Sequence, residues 1–302
     1  MMGDGGREMP AHAALEAFLS AQLEPLRGRF REVNIRLTPP EGVEVVPGEA
    51  LLDPDTLRET IARFGERIGT SSQRIAGVHW LGQFGYAVLP PIEMAMTRAG
   101  IGLDAGLANL GIVQPNGQPA DILIRDRSGT VVLPERYTGD LPLDAVGRTV
   151  ASADELRAFV LDGLFGRTFL PLVGRIHALT GVSPQVLWGQ VGYEADLFYG
   201  QLQRAAPDEL SPAWYDDREA LFARRWWSVT PGQNPLDGPT RTVTVLDKTS
   251  GEPAIRVLRS KCCLIYQVPT GKMCGACPLS VKKERVTEKR ATAPERRAAH
   301  AS

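Results

Sequence analysis

Four cysteines, Cys262, Cys263, Cys274 and Cys277, are the only ones in the chain and fall within sixteen positions near its C-terminal end. Cysteines placed for scattered core packing would not gather this way, and where thiols stay reduced such a cluster more often binds metal than forms disulfides. Cys274-Gly275-Ala276-Cys277 has the C-x-x-C spacing that turns two thiolates back onto one metal while the amides between them point at the sulfurs. Gly275 is expected to free that turn from a crowding side chain, and Pro278 to stiffen the exit. The other pair differs, because Cys262 and Cys263 are adjacent and neighbours in an extended chain leave on opposite faces. One tetrahedral ion is awkward to chelate that way, whereas a centre with two iron atoms spreads its thiolate sites over a wider arc. Spacing alone leaves zinc and an iron–sulfur cluster both open, with redox-active thiols as a third reading.

The elements that must carry these residues are legible as periodicities. Between Arg241 and Ser260 the stretches RTVTVLD and AIRVLRS alternate about a turn-rich link, which predicts a hairpin whose second strand leads into Cys262. Upstream the pattern is helical. Leu15, Phe18, Leu19, Leu23 and Leu26 share one face of an opening helix that should end near Gly28. Asp53-Pro54 caps a helix through Leu57, Ile61, Phe64 and Ile68 to Gly69. A longer helix runs from Ser71 to Gly100, with a break or kink expected at Pro90-Pro91. ADILIRD and TVVLPERY, flanking Arg127-Ser128-Gly129, predict a hairpin near 121–137. Ser152 and Glu155 have capping-box spacing and open a helix towards Gly181; Ser183-Pro184 and Ser211-Pro212 start two more.

The expected class is mainly α with small β-hairpins, an α+β chain. It divides into an N-terminal helix and extended segment (1–52), a mainly helical body (53–240), a hairpin and cysteine segment (241–280) and a disordered basic tail (281–302).

Several chemistries are disfavoured. A formal net charge of -1 does not suit a protein built to neutralise nucleic-acid phosphate. No glycine run has dinucleotide or P-loop spacing, so neither flavin nor NAD(P)H is expected on the chain. His79 and His177 lack a second ligand at helical spacing and read as structural, and Glu194 and Asp196 turn to different helix faces. The N-terminal stretch lacks the pattern of a secretory signal and no apolar run reaches about 20 residues, so a cytoplasmic protein is expected, with peripheral membrane contact left open.

The segment RSKCCLIYQVPTGKMCGACPL, from Arg259 to Leu279, resembles the end of the FhuF-like ferric siderophore reductases. Those proteins carry a Cys-Cys, ten-residue gap, Cys-x-x-Cys arrangement that holds a [2Fe-2S] cluster. All four cysteines map onto it, and SSQRIAGVHWLGQFGYAVLPPIEMAMTRAGIGLD and LWGQVGYEADLFYGQL resemble the family's helical body. The likeness covers about two thirds of the chain and leaves out the start and the tail.

The resemblance implies a [2Fe-2S] cluster on Cys262, Cys263, Cys274 and Cys277, one-electron reduction of siderophore-bound Fe3+, and no catalytic residue beyond the cluster. The substrate would be a ferric hydroxamate or catecholate, and electrons would come from a separate protein such as a ferredoxin. Arg259, Lys261 and Lys272 beside the cysteines, and Arg224, Arg225, Trp226 and Trp227 at a helix end, are the docking candidates. Their ordinary roles compete with this: such cations often neutralise a cluster's negative charge, and tryptophan is mostly buried. Two other functions stay in view, a zinc-stapled interaction module and a helical protein of siderophore biosynthesis.

Overall fold

The computed structural model describes residues 11–24, 34–205, 210–222, 234–246, 252–269, 271–281 and 287–288. Its helices are α1 (Ala11–Gln22), α2 (Pro54–Ile68), α3 (Gln73–Ala99), α4 (Leu143–Val146), α5 (Ala153–Leu161), α6 (Leu170–Thr180), α7 (Pro184–Ala205) and α8 (Pro212–Leu221). The strands are β1 (Ile35–Arg36), β2 (Val45–Pro47), β3 (Ile101–Gly102), β4 (Leu110–Val113), β5 (Asp121–Ile124), β6 (Val131–Val132), β7 (Arg148–Thr149), β8 (Thr240–Leu246), β9 (Pro253–Arg259) and β10 (Thr287–Glu288). The class is the expected one, mainly helical with small sheets.

Local signals set most boundaries. The Thr56 amide donates to Asp53 Oδ1 at 2.9 Å, and α2 ends at Gly69 with φ +76°, a left-handed value that suits glycine. The Glu155 amide donates to Ser152 Oγ, while Glu155 Oε2 accepts from the Ala151 amide, one residue before the usual capping-box partner. From α5 the chain stays helical through a π-type stretch, Asp162–Phe169, into α6. The opening helix ends at Gln22, where the Leu23 amide donates to the Ser20 carbonyl; of the expected continuation to Gly28, residues 25–28 lie outside the described residues.

Two expectations about the body are corrected. Helix α3 runs through Pro90-Pro91 without interruption. Each interior proline costs about 3 kcal/mol, but α3 buries Val78, Trp80, Leu81, Phe84, Val88, Leu89, Ile92, Met94 and Met96, each contributing about 1.5–3 kcal/mol. Burial outweighs the break. The hairpin near 121–137 does not form: β5 lies inside a sheet ordered β1-β5-β4-β2, while β6 pairs with β3 and β7 in another. The chain does turn at Arg127, whose carbonyl accepts from the Thr130 amide. Every residue of β5 is buried, so it needs a partner on each edge, and the segments that supply them are distant in sequence.

One large core joins α1 through α8, with α3 packed against α1, α2, α5, α6, α7 and α8. The β8–β9 hairpin appears where expected, in register from Thr240↔Arg259 to Leu246↔Pro253. It has its own small cluster of Val243, Val245 and Leu258. Within the tail expected to be disordered, Thr287–Glu288 pairs with β8. This partner satisfies backbone groups along an otherwise open edge, and Val281 packs on the hairpin's cluster; residues 282–286 and 289–302 lie outside the described residues.

Candidate metal centre

Strand β9 ends at Arg259, whose backbone N–H donates to the Ala276 carbonyl at 2.8 Å. That bond brings the two cysteine pairs, separated by ten residues, to the same place. After Cys263 the chain reverses at Leu264, whose φ of +62° makes it the one non-glycine residue with positive φ among those described. The reversal aims the Leu264 N–H at Cys262 Sγ, 3.4 Å away. A short 3-10 turn, Ile265–Gln267, then rests on α3. Cys274 and Cys277 flank a tight turn closed by the Cys277 N–H on the Cys274 carbonyl at 3.0 Å.

The glycine that this loop requires is Gly271. A Cβ there would overlap the Ile265 carbonyl oxygen, whereas one at Gly275 would meet open space. The expectation placed on Gly275 is therefore corrected, since the crowding lies where the loop crosses back over its own 3-10 turn.

The thiols meet two by two. Cys263 Sγ and Cys274 Sγ are 3.9 Å apart, and Cys262 has Cys277 as a neighbour. Cys263 and Cys277 are buried, and Cys262 and Cys274 half-buried. Burial and then the neighbouring Cys263 push the Cys274 thiol up to about 11, and burial raises Cys262 as well. The Cys262 and Cys274 thiols thus resist ionisation until a cation joins them, which couples their deprotonation to metal binding. Among the described residues no three His, Cys, Asp or Glu side chains are placed around a single ion. The soft, all-sulfur set, arranged in two pairs, fits a group with two iron atoms.

Beside the Cys263–Cys274 pair opens a cleft of about 270 Å3. One wall is α3, presenting His79, Gly82, Gln83 and Tyr86, one face at helical spacing. The other is α7, with Gln190 and Glu194, and Arg259 and Ile265 complete it. His79 lies beside the Cys263 backbone with its Nε2 buried and without a hydrogen-bond partner; burial, followed by the charge of Arg259, pushes it down to about 4 and keeps the ring neutral. Burial pushes Glu194 up to about 7, with Arg259 and Gln190 opposing. Arg259 donates to Gln190 Oε1 at 2.6 Å and lies 3.5 Å from Glu194 Oε1.

Of the docking candidates, Arg259 is buried and lines the cleft, while Lys261 and Lys272 are exposed on the cysteine-bearing segment. Arg224, Arg225, Trp226 and Trp227 lie outside the described residues. His177 accepts its expected local role, its Nδ1 lying 2.8 Å from the Val182 carbonyl. Glu194 and Asp196 do face apart: Asp196 accepts from Thr240 Oγ1 at 2.7 Å and pairs with Arg218. His79, Gln83, Tyr86 and Gln190 were not singled out as site residues by their sequence. The available signal was a polar stripe at 79, 83 and 86 in a stretch, Ile75 to Ile92, that is otherwise apolar.

The family model described as "Ferric iron reductase FhuF-like transporter" matches residues 78–249, and that of the "FhuF 2Fe-2S C-terminal domain" matches residues 259–279. No curated protein matches. Among solved structures the chain is similar to aerobactin synthetase IucA from a hypervirulent pathotype of Klebsiella pneumoniae, with TM-score 0.55 and 15% identity over 76% of this chain and 49% of that one. It is also similar to aerobactin synthetase IucC from the same source, with TM-score 0.51 and 19% identity over 65% and 36%. Petrobactin biosynthesis protein AsbB from Bacillus anthracis str. Sterne gives TM-score 0.50 and 14% identity over 77% and 48%. At these identities the likeness is one of fold, and the chain spans half or less of each of those proteins.

Proposed function

As the chain belongs to the FhuF-like ferric iron reductase family and ends in that family's [2Fe-2S] domain, we propose that it is a ferric siderophore reductase. Its ligands are Cys262, Cys263, Cys274 and Cys277. When bound, the cluster supplies one-electron chemistry at a potential set by net charge, hydrogen bonds to sulfur and exposure. Siderophores hold Fe3+ through hard oxygens, and Fe2+, larger and less charged, is held far less strongly. One electron therefore turns a trapped ion into an exchangeable one.

The observation that carries this reading is that two of the four thiols, 3.9 Å apart, line an open cleft. The residues around them have definable tasks. Leu264 donates an N–H to Cys262 sulfur, His79 sets a neutral ring in the cleft beside Cys263, and Arg259 brings a buried positive charge beside Cys274. A cleft of about 270 Å3 is smaller than the pockets that enclose drug-sized ligands, about 300–1,000 Å3. It admits an edge of a ferric hydroxamate or catecholate, and electron transfer needs proximity only. Lys261 and Lys272 add positive charge at the rim.

The electron donor is a separate protein such as a ferredoxin, and the reaction belongs in the cytoplasm, where thiols stay reduced. No helix among the described residues is long and apolar enough to cross a membrane. A separate cluster-bearing segment (241–280) is supported by the hairpin's own apolar cluster, whereas Leu15, Leu19, Leu23, Ile35 and Leu51 of the N-terminal segment share the core of the helical body (53–240).

The test is anaerobic mixing of photoreduced protein with a ferric siderophore and an Fe2+ trap. Return of the oxidised visible spectrum, with one Fe2+ trapped per electron, is expected. Protein that stays reduced in the presence of excess ferric complex would refute the activity.

A further inference from the structure

We propose that the four thiols are shared crosswise, Cys263 with Cys274 on one iron and Cys262 with Cys277 on the other. The two irons are then unequal, and the Cys263–Cys274 iron, which faces the cleft, takes the extra electron. This rests on the [2Fe-2S] reading above and specifies it.

Three observations carry the assignment. The first is distance. Two thiolates about 2.3 Å from one tetrahedral metal sit about 3.8 Å apart, and Cys263 Sγ to Cys274 Sγ is 3.9 Å. Cys262 neighbours Cys277, so each of the adjacent cysteines stands beside one member of the C-x-x-C. Adjacent side chains that leave on opposite faces can serve two metals more readily than one.

The second is access. Cys263 and Cys274 line the cleft, and Cys262 and Cys277 do not. The third is charge. The buried Arg259 guanidinium lines the same cleft as Cys263 and Cys274 and favours negative charge on Cys274, whereas Cys262 accepts the Leu264 N–H at 3.4 Å. A reduced two-iron centre localises its added electron on the iron whose surroundings favour negative charge. A full guanidinium charge in a low-dielectric site outweighs one amide dipole, even with Glu194 offsetting part of it at 3.5 Å. One electron enters from the donor protein and one leaves to chelated Fe3+, giving Fe2+; no bond or proton need change hands.

The experiment compares four variants, Cys262→Ser, Cys263→Ser, Cys274→Ser and Cys277→Ser, each prepared without oxygen and reduced. Serine oxygen is a harder donor that disfavours the reduced state of the iron it binds. The expected grouping is a large shift in electron paramagnetic resonance g values and a loss of reducibility for 263 and 274, with small effects for 262 and 277. A grouping of 262 with 263, or larger shifts at 262 and 277, would overturn the assignment.

Should serine variants fail to hold iron, Arg259→Gln decides. Its equilibrium constant for reduction should fall about tenfold, about 59 mV for one electron, with Arg259→Lys restoring most of it; an unchanged constant overturns the proposal. Wild-type protein without a [2Fe-2S] signal would instead end the reading on which the proposal rests.

Discussion

The guanidinium carbon of Arg259 lies 3.3 Å from the centroid of the Tyr193 ring. Together with the bond to Gln190 and the approach to Glu194, this stacking fixes the end of β9 against α7. The same residue's backbone holds the Cys274–Cys277 turn through Ala276. Arg259 is thus a clamp between the helical body and the cysteine segment, as well as a charge beside the thiols.

Arg259→Ala should loosen that clamp. It removes the cation of a buried charged pair and leaves Glu194 with the Gln190 amide, 2.6 Å away, as its remaining partner, a change that costs about 3–5 kcal/mol where the charge stays fully buried. Iron should be lost to a chelator much faster than from wild type, while the thermal unfolding of the helical body moves little. Iron release at the wild-type rate would remove Arg259 from this role.

Cys274→Ala and Cys277→Ala should abolish the visible absorption and keep the helical circular dichroism. The body's core, from Leu15 to Leu236, includes neither cysteine. Global unfolding of either variant would mean that the centre is chiefly a staple.

Gly271→Ala should disturb the loop between the cysteine pairs, because the added methyl overlaps the Ile265 carbonyl, a backbone atom that cannot swing aside. Iron content is the readout. Overpacking of this kind costs about 1–3 kcal/mol, enough to deplete the site while the body stays folded. Full loading of the variant would contradict the close approach.

Glu93 should make the fold sensitive to alkali. It is fully buried in α3 with neither carboxylate oxygen hydrogen-bonded, and burial raises its pKa well above the ordinary value of 4.5. The unfolded chain ionises first, so stability is highest below about pH 4.5 and is lost as pH rises towards the folded-state value. Glu194, pushed up to about 7 by burial, works in the same direction between pH 4.5 and 7. Glu93→Gln should flatten the decline and gain about 1–3 kcal/mol at pH 8; urea unfolding at pH 5 and pH 8 measures both. An unaltered slope would show that Glu93 ionises in the fold without cost.

The gathering of the four thiols was legible in the sequence because Cys262, Cys263, Cys274 and Cys277 lie within sixteen positions. The caps were legible for a similar reason: Asp53 and Gly69 act on backbone within a few residues. The cleft was not. His79 and Tyr86 stand about 180 residues before the cysteines, and only the packing of α3 against α7 brings them to Cys263. Strand partners were hidden likewise, since ADILI is strand-like by period whether it pairs with Val131, as expected, or with β1 and β4, as found. Gly271 and Gly275 look alike as letters, and their difference emerges only once the loop has crossed itself.

Iron and acid-labile sulfide in chain purified without oxygen test the central claim most directly. The account requires two of each per chain, as a [2Fe-2S] group demands, together with visible absorption that bleaches on one-electron reduction. Protein with its four thiols intact that contains zinc, or neither iron nor sulfide, would contradict it.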